Sequence, residues 1–527
     1  MTAQANSSQT LQQAVAGRDL PRLFDYWRQR CPDKPFLIWA DFDGQDQQWS
    51  YEAFCQQGGR LAKGLNERGI QSGDKVIIHL ENSPEFLFSW YACALLGAVA
   101  VTTNTRSVAS DIEYFVTKTR ARAVITQESL ISGFDGCREQ LQLISSIDHQ
   151  NHQQNDGVLA FEDLYADGEQ ALPDTVMTEQ DLSIQFTSGT TSRPKAVVWT
   201  HANAIWGAQC NARNFALHHD DICQAFLPLF HTNNQSYSLL GTLWVGGSYI
   251  LQPRFSKTHF WRPALEYKAS WASMIPFCLK ALVEEAVPEH HFRFWTPAVA
   301  LPSIEEHFKI KTFGLYGMTE TITQAITGDL NHPGPEMCIG RPCHGYEISV
   351  RNEQGQDISA GETGDLFIRG IPGINLFKEY LHDPDATANS YVDGWFETGD
   401  RIRLDHEGHY FFADRAKDML KVGGENVAAS EVETVIMASG LVDEVAVVGK
   451  PHPMLDEVPV AFVIRSPLMG TELSESEYQA QIIQHCRGQL ADFKVIQELH
   501  IVEGLPRSLL NKIAKKELRD RLIESNS

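Results

Sequence analysis

A short polar segment follows a strand-like run, SIQF, in the first half of the chain. Residues 187–195 read TSGTTSRPK, which places hydroxyl side chains, one glycine and two cations in nine residues. Such a loop can wrap a triphosphate, because Gly189 lets the backbone approach closely, hydroxyls and amides donate hydrogen bonds, and Lys195 adds positive charge. The spacing is not that of a Walker loop. Composition alone also fits an ordinary Ser/Thr-rich turn, so this segment by itself does not decide its function.

Five further motifs follow in order along the chain. They are LYGMTET at 315–321, WFETGD at 395–400, DRAKD at 414–418, GGEN at 423–426 and LPRSLLNKI at 505–513. Together with the first loop they resemble the signature of the adenylate-forming superfamily, which includes acyl-CoA synthetases, adenylation domains and firefly-type luciferases. The resemblance extends from NSPEF at 82–86 to Lys512. It implies an ATP-dependent acid–thiol ligase that forms an acyl adenylate and pyrophosphate, and then a coenzyme A thioester and AMP.

The resemblance also implies a role for each motif in holding ATP. Tyr316 would pack its ring against adenine, Asp400 would accept both ribose hydroxyls, and Arg415 would donate to the same ribose. Ordinary core packing and ordinary salt bridges are the alternatives for these three residues. The residues of the first loop that would hold the phosphates are Thr187, Ser188, Gly189, Thr190, Thr191 and Lys195.

The reaction brings two anions together, since a carboxylate must attack the α-phosphorus of ATP. By resemblance, Thr319 would hydrogen-bond the α-phosphate, and Glu320 would hold Mg²⁺, which prefers carboxylate oxygens. Lys512 would offset the negative charge on the α-phosphate and on the substrate carboxylate. A solvated surface location is the alternative for each of these side chains.

The second half-reaction needs a thiol to reach the adenylate, and a domain rotation would make room for it. The resemblance implies that Lys417 is the pivot and that Gly424 lines a pantetheine tunnel, where a side chain would obstruct the thiol. His231 resembles the family's aromatic-His segment at the wall between the acyl pocket and the CoA entry. An exposed lysine, a turn glycine and a structural histidine are the alternatives.

Two features bear on the acyl substrate. Residues 232–235 (TNNQ) are polar where a fatty-acid pocket would be apolar, which suggests a polar group near the substrate carboxylate. The residues of the segments FTSGTTSRPK, GMTETI and GGENV resemble those of the carnitine or crotonobetaine CoA ligase group. A trimethylammonium could then be caged by aromatic rings, although each candidate is more often a core residue. The candidates are Trp199, Trp206, Tyr237 and Trp244.

Two departures from the family pattern and several other functions have to be weighed. Asn511 stands where a glycine usually precedes the catalytic lysine, and WTPA at 295–298 stands near the place of a Gly-Gly-Ala-type adenine loop. Asparagine still tolerates left-handed backbone, so the lysine loop can form. The alternatives are a fatty-acyl or aryl CoA ligase, an acyl-AMP ligase that loads a carrier protein, a luciferase-like oxygenase and a non-catalytic AMP-binding protein.

Alternating strands and helices must bring these motifs together. Short apolar runs at 76–80, 98–101 and 123–126 are typical of buried strands. Between the first two, Ser83 and Pro84 predict a helix start, and Gly97 predicts its end. This alternation predicts a parallel α/β sheet. The polar stretch at 145–157 predicts a surface connection.

The predicted fold class is α/β with two domains. Residues 1–414 would form an N-terminal AMP-binding domain with sheets flanked by helices and a β subdomain, in sublobes of about 1–175, 176–345 and 346–414. Residues 415–527 would form a small, mobile α+β domain that carries Lys512. Lys515 and Lys516 are expected on the solvated face of the last helix.

Composition argues against several classes of protein, including nucleic-acid-binding and membrane-spanning ones. With 44 basic and 67 acidic side chains, the formal charge of −23 makes attraction to nucleic acid or anionic lipid unfavourable. Ten scattered cysteines without a C-x-x-C pair are typical of reduced thiols, and Cys338 and Cys343 favour packing over a metal site. A polar N-terminus and the lack of a long apolar run predict a cytoplasmic enzyme without a membrane span. We expect a monomer or homodimer that binds a small carboxylic acid, ATP and CoA.

Overall fold

The computed structural model describes residues 2–148, 157–187, 193–415, 419–466, 473–506, 513 and 515–524. The chain divides into two compact units. The larger unit comprises residues 1–105, 113–186 and 196–414, and the smaller unit comprises residues 106–112, 187–195 and 415–527. Among the described helices, none is long and apolar enough to cross a bilayer.

Strands and helices alternate over the first part of the chain. In order, the elements are α1 (Thr2–Val15), α2 (Leu20–Arg30), β1 (Pro35–Trp39), β2 (Gln47–Ser50), α3 (Tyr51–Glu67), β3 (Lys75–His79), α4 (Pro84–Leu96), β4 (Val99–Thr102), α5 (Ala109–Thr119), β5 (Ala123–Thr126), β6 (Leu143–Ser146), β7 (Val158–Ala160), β8 (Asp181–Thr187), β9 (Lys195–Thr200) and α6 (His201–Asn214). The predicted ends of α4 are confirmed: Ser83 Oγ accepts from the Phe86 amide, and Gly97 ends the helix at φ 75°.

The rest of the larger unit begins with short parallel strands and ends in antiparallel ones. Its elements are β10 (Ile222–Ala225), a π-helix (Asn233–Leu240), α7 (Gly241–Val245), β11 (Ser248–Leu251), α8 (Trp261–Glu266), β12 (Trp271–Ser273), α9 (Pro276–Val283), β13 (Phe294–Thr296), α10 (Pro302–Phe308), β14 (Lys311–Thr312), β15 (Leu315–Tyr316), β16 (Ile326–Thr327), β17 (Arg341–Pro342), β18 (Glu347–Arg351), β19 (Thr363–Arg369), β20 (Glu379–Tyr380), α11 (Pro384–Asn389), β21 (Tyr391–Val392), β22 (Trp395–Leu404) and β23 (Tyr410–Arg415).

Two large sheets with mostly parallel strands form the framework of the larger unit. Their strand orders are β20-β9-β8-β4-β3-β5-β6-β7 and β14-β13-β12-β10-β11-β1-β2. Strands β3, β4 and β5 are almost fully buried apolar runs, as expected for strands covered by helices on both faces. Two antiparallel sheets follow, β15-β16-β17 and β18-β19-β22-β21 with β23 beside β22. The predicted α/β class is confirmed.

The predicted surface connection at 145–157 begins too early. Ser145 and Ser146 belong to β6, which pairs in parallel with β5 and β7, and both side chains are buried. Their small side chains fit a buried strand, so polarity was a misleading signal at these two positions. Residues 149–156 lie outside the described residues.

The smaller unit has a sheet and a core of its own. Its elements are β24 (Met419–Val422), β25 (Glu425–Ala428), α12 (Ala429–Ala438), β26 (Val442–His452), β27 (Asp456–Arg465), α13 (Glu475–Gln489), β28 (Glu498–Ile501) and α14 (Lys515–Glu524). The strand order is β25-β24-β27-β26, with β28 parallel to β27. Buried side chains from β25, β26 and α13, such as Val427, Val447 and Ile482, fill one cluster between the sheet and its helices.

Candidate active site

Tyr316 and Asp400 meet inside the larger unit. Tyr316 ends β15, Asp400 lies in β22, and the Tyr316 hydroxyl donates to Asp400 Oδ2 at 2.7 Å across 84 positions of sequence. The Asp400 amide donates to Thr398 Oγ1, whose hydroxyl donates to the Leu366 carbonyl at 2.8 Å. The two residues assigned to adenine and ribose are therefore neighbours, and the Thr398 hydroxyl links the Asp400 backbone to β19.

Thr319 and Glu320 form a single tight turn after β15. The Trp199 indole donates to the Thr319 carbonyl at 2.9 Å, and Thr232 Oγ1 lies 3.1 Å from Thr319 Oγ1. The Tyr380 hydroxyl donates to Glu320 Oε1 at 2.9 Å. Burial and the adjacent Glu320 carboxylate raise the pKa of Tyr380, so its phenol keeps the donated proton. The turn thus carries a hydroxyl and a carboxylate on consecutive residues.

Strained backbone closes this turn. Ile322 has φ 61° and ψ −44°, and the Thr323 amide donates to the Thr321 carbonyl at 2.6 Å, which makes a γ-turn centred on a β-branched residue. Such a conformation costs about 1–3 kcal/mol. The Tyr346 hydroxyl donates to the Thr321 carbonyl at 2.7 Å and helps to hold it. Strain of this kind persists where surrounding contacts over-determine the loop, as they do at functional sites.

Asn211 connects two parts of the site, and no motif of the sequence pointed to it. From α6, its Nδ2 donates to the Ser236 carbonyl of the π-helix at 2.8 Å. Its Oδ1 accepts from Gln324 Nε2 at 2.8 Å and from the Thr323 hydroxyl. All four side chains are fully buried. The π-helix and the segment after Glu320 are therefore fixed to the same helix.

The polar segment after His231 serves mainly the fold. Thr232 donates to Gln185 Oε1 at 2.8 Å, Gln185 donates to Gln235 Oε1 at 2.7 Å, and Asn234 bonds to Tyr249 and to the Leu227 carbonyl. Asn233 is the exception, because its Oδ1 atom is buried without a hydrogen-bond partner among the described residues. It is therefore the one observation in this segment that still favours a polar substrate. His231 is partly exposed, with its ring centroid 4.6 Å from that of Phe230.

The two ends of the phosphate-loop motif lie on neighbouring strands. Thr187 ends β8, and Lys195 begins β9. Ser188, Gly189, Thr190 and Thr191 lie outside the described residues. Strand β9 continues to Trp199 and pairs with β20, which carries Tyr380 opposite Val197. The strand that follows the motif therefore also supports both Thr319 and Glu320.

The segment in place of the expected adenine loop adopts an unusual backbone. Ala298 has φ 71°, a left-handed conformation that glycine adopts more easily. Its carbonyl accepts from the Leu315 amide at 2.9 Å, directly before Tyr316. The segment thus lies beside β15 without the glycines of the family pattern.

The four aromatic residues proposed as a cage are in different surroundings. Trp199 supports Thr319, Trp206 donates to the Tyr346 hydroxyl at 3.3 Å, and the Arg18 guanidinium lies 5.4 Å from the ring centroid of Trp244. The Tyr237 hydroxyl faces Gly317, where a β-carbon would approach it to 2.4 Å.

The structure describes only some of the site residues that were predicted beyond residue 414. Arg415 ends β23, and Gly424 lies in the turn between β24 and β25 at φ 87°, a conformation that favours glycine. Lys417, Asn511 and Lys512 lie outside the described residues.

The expectation that Lys515 is solvated is wrong. Its ammonium lies 2.7 Å from Glu433 Oε1, and its side chain is only 13% exposed. Glu433 Oε1 also accepts from the Val447 amide at 2.7 Å. The lysine near the start of α14 therefore fixes that helix to α12, because a carboxylate and a backbone amide are available where periodicity alone indicated solvent.

Hard oxygen atoms at the Thr319 turn suit a magnesium ion. Thr319 and Glu320 are consecutive residues that carry a hydroxyl and a carboxylate, and Mg²⁺ prefers such ligands. A separate group of Asp405, Glu407 and His409 lies in the hairpin between β22 and β23. There Asp405 Oδ1 already accepts from the amides of Glu407 and His409, as in an ordinary loop. Cys338 and Cys343 are buried thiols whose sulfur atoms accept hydrogen bonds from Gly340 and Asn214.

Family comparison agrees with this geometry. Residues 24–381 match the family described as AMP-binding enzyme, and residues 431–512 match the AMP-binding enzyme C-terminal domain. The chain belongs to the AMP-binding enzyme family. The motif residues that the larger unit brings together, Tyr316, Thr319, Glu320 and Asp400, fall within or just beyond the first of these matches.

Relatives of this AMP-binding enzyme agree on the class of reaction. It is 34% identical to a crotonobetaine/carnitine–CoA ligase of Salmonella paratyphi A and to one of Salmonella typhi, over 96% of this chain and 99% of theirs. The o-succinylbenzoate CoA synthetase of Bacillus subtilis, solved with a product analogue, superposes with a TM-score of 0.82 at 25% identity over 96% of this chain and 99% of that one. The enzyme is an ATP-dependent, adenylate-forming acid–thiol ligase.

Proposed function

We propose that this ligase activates a small polar or betaine-type carboxylic acid, of the class that carnitine and crotonobetaine represent. The observation that carries the proposal is the 34% identity to crotonobetaine/carnitine–CoA ligases, which covers 96% of this chain and 99% of the relatives. Structural relatives at 25% and 26% identity are named for o-succinylbenzoate and fatty acyl substrates, so the acyl group varies on this fold. Near full-length identity above that level supports the betaine class.

In this proposal Tyr316 and Asp400 of the larger unit bind the nucleoside. The Asp400 carboxylate accepts the ribose hydroxyls, since an ionised carboxylate offers two acceptor oxygens. Tyr316 places its ring against adenine while its hydroxyl orients Asp400 through the 2.7 Å hydrogen bond. Arg415 donates to the same ribose, and Thr187, Lys195 and the loop between them hold the phosphates.

Thr319 and Glu320 are the residues that would hold magnesium and the α-phosphate. When bound with ATP, the ion would neutralise charge on the phosphate oxygens. The Thr319 hydroxyl donates to an α-phosphate oxygen. The Glu320 carboxylate supplies the hard anionic oxygen, and its orientation is fixed by the Tyr380 hydroxyl at 2.9 Å.

Adenylation is a displacement at phosphorus. A carboxylate oxygen of the substrate bonds to the α-phosphorus, the bond from that phosphorus to the bridging oxygen breaks, and pyrophosphate leaves with the electron pair. Lys512 offsets the charge that the two anions concentrate at this point, and Lys195 does so for the leaving phosphates.

Thioester formation is the second displacement. The CoA sulfur bonds to the acyl carbon, the bond from that carbon to the phosphate oxygen breaks, and AMP leaves while the thiol proton passes to solvent. Lys417 acts as the pivot between the half-reactions, Gly424 lines the pantetheine path, and His231 forms the wall between the acyl pocket and that path.

The test is AMP release together with thioester formation, with ATP, Mg²⁺, CoA and a panel of acids. Carnitine, crotonobetaine and γ-butyrobetaine are compared with short and long fatty acids and with aryl acids. We expect a betaine-type acid to give equal amounts of AMP and CoA thioester. Lys512→Ala should lose most of this activity, while the matched control Lys516→Ala, in the last helix, should keep it.

Other outcomes of this panel identify the alternatives. Turnover of fatty or aryl acids alone would replace the substrate class, and transfer to a phosphopantetheinyl carrier but not to CoA would make the enzyme a carrier-loading ligase. AMP binding without turnover of any acid would contradict the catalytic proposal. A cytoplasmic location is part of the proposal and is supported by the ten cysteines, which are thiols rather than disulfides and of which nine are buried.

A further inference from the structure

Tyr380 lies in a short strand, and backbone hydrogen bonds connect the segment around this strand to the turn that contains Thr319 and Glu320. Strand β20 pairs antiparallel with β9, and Tyr380 is opposite Val197. The Phe377 amide donates to the Glu320 carbonyl at 2.8 Å, and the Leu381 amide donates to the Ala196 carbonyl at 2.8 Å. The segment 377–381 is therefore fixed both to β9 and to the residue that would hold the metal.

The Tyr380 side chain adds a contact to the Glu320 carboxylate itself. Its hydroxyl donates to Glu320 Oε1 at 2.9 Å, and the two residues are 3% and 4% exposed. A carboxylate at the end of a glutamate side chain can otherwise turn about its last bond, which is a broad torsion. A buried donor on one oxygen selects one orientation of the group.

We propose that Tyr380 is a positioning residue that orients Glu320 toward the magnesium ion of MgATP. The inference rests on the metal-binding role of Glu320 in the proposed function. Partners that orient metal-binding carboxylates typically change metal affinity about 10- to 100-fold when they are removed. Because Tyr380 is neutral, it orients the carboxylate without neutralising the charge that attracts the ion.

Tyr391 provides a matched control in the same aromatic cluster. Its ring stacks on that of Phe377, with centroids 6.3 Å apart and an interplanar angle of 10°. Within the described residues its hydroxyl makes no hydrogen bond to Glu320. Tyr391→Phe therefore removes a hydroxyl close to the site without removing a contact to the carboxylate.

The test measures metal binding directly. Mn²⁺ is titrated into wild type, Tyr380→Phe and Tyr391→Phe in the presence of a non-hydrolysable ATP analogue, and free Mn²⁺ is followed by its EPR signal. We expect the dissociation constant to rise about tenfold in Tyr380→Phe and to change less than twofold in Tyr391→Phe. Equal Mn²⁺ affinity of Tyr380→Phe and wild type would overturn the inference.

A second variant separates positioning from folding. Glu320→Asp keeps the charge but shortens the side chain, which withdraws the carboxylate from Tyr380. We expect Tyr380→Phe to add less than a twofold loss of Mn²⁺ affinity in that background, since the two changes act through one hydrogen bond. Additive tenfold losses would contradict the inference. Failure of the proposed function would instead appear as a wild-type enzyme that forms no CoA thioester with any acid of the panel.

Discussion

Two carboxylates of the larger unit and two of the smaller unit have different partners. In the larger unit, the described hydrogen bonds to Asp400 Oδ2 and Glu320 Oε1 come from the neutral hydroxyls of Tyr316 and Tyr380. In the smaller unit, Glu431 and Glu433 lie 2.6 and 2.7 Å from the ammonium groups of lysines 494 and 515. A hydroxyl donor orients a carboxylate, whereas an ammonium partner also offsets its charge.

In the proposed function, this difference corresponds to that between side chains that bind substrate and side chains that hold the fold. A phenol donor leaves the negative charge of a carboxylate available to a ribose, a metal ion or a cation. A lysine partner offsets the charge, and the pair then joins two elements: Lys515 joins α14 to α12. We therefore expect substitutions at the tyrosine-bonded carboxylates to lower activity, and substitutions at the lysine-paired ones to lower stability.

The largest expected effect is at Asp400. Asp400→Asn keeps the size of the side chain and an acceptor for Tyr316 but removes the charge that would bind the ribose hydroxyls. We expect kcat/KM for ATP to fall about 100-fold, equivalent to about 3 kcal/mol, with the thermal midpoint nearly unchanged. The measurement is pyrophosphate release at varied ATP. Asp405→Asn, in the nearby surface hairpin, is the control. An equal loss of kcat/KM in that variant would contradict a specific role for the Asp400 charge.

A smaller effect, on stability, is expected at Lys494. The Glu431–Lys494 pair has both side chains 10% exposed, so Lys494→Met leaves a buried carboxylate unpaired and should lower the free energy of unfolding by about 3 kcal/mol at pH 8. Burial already raises the pKa of Glu431, and Lys494 opposes that rise. The variant therefore has a still higher Glu431 pKa, and its deficit should shrink as the pH falls and the carboxyl becomes neutral.

Urea unfolding at pH 8 and pH 5.5 tests this expectation for the smaller unit. Lys450→Met is the control, because its 2.8 Å partner Glu498 is 40% exposed and the loss should be about 1 kcal/mol or less. A Lys494→Met deficit that grew toward low pH, or a large loss of activity without loss of stability, would show that the pair does more than hold the fold.

Local signals in the sequence predicted much of the fold. Ser83, Pro84 and Gly97 predicted both ends of α4, because capping depends on side chains within a few residues. Short apolar runs predicted β3, β4 and β5, because this signal also lies within a few consecutive residues. The motifs predicted which residues to examine at the site, and the structure brings Tyr316 and Asp400 together.

Residues that act across long separations could not be predicted in this way. Tyr380 contacts Glu320 although 60 positions of sequence separate them, and Asn211 contacts Gln324 across 113 positions. These contacts follow from the strand order and from the position of α6, which local patterns do not predict. Lys515 was wrongly expected in solvent because its partner Glu433 lies on another helix. The polarity of residues 232–235 was a weak guide to the substrate, since most of those side chains bond to the protein.

Transfer of labelled oxygen is the most direct test of adenylate formation. The acid that turns over is supplied with ¹⁸O in both carboxylate positions, and AMP is examined by mass spectrometry. We expect one ¹⁸O in the phosphate of AMP and one in the acyl-CoA, because a carboxylate oxygen bonds to the α-phosphorus and stays there when the thiol displaces AMP. Unlabelled AMP, or formation of ADP with labelled inorganic phosphate, would contradict it.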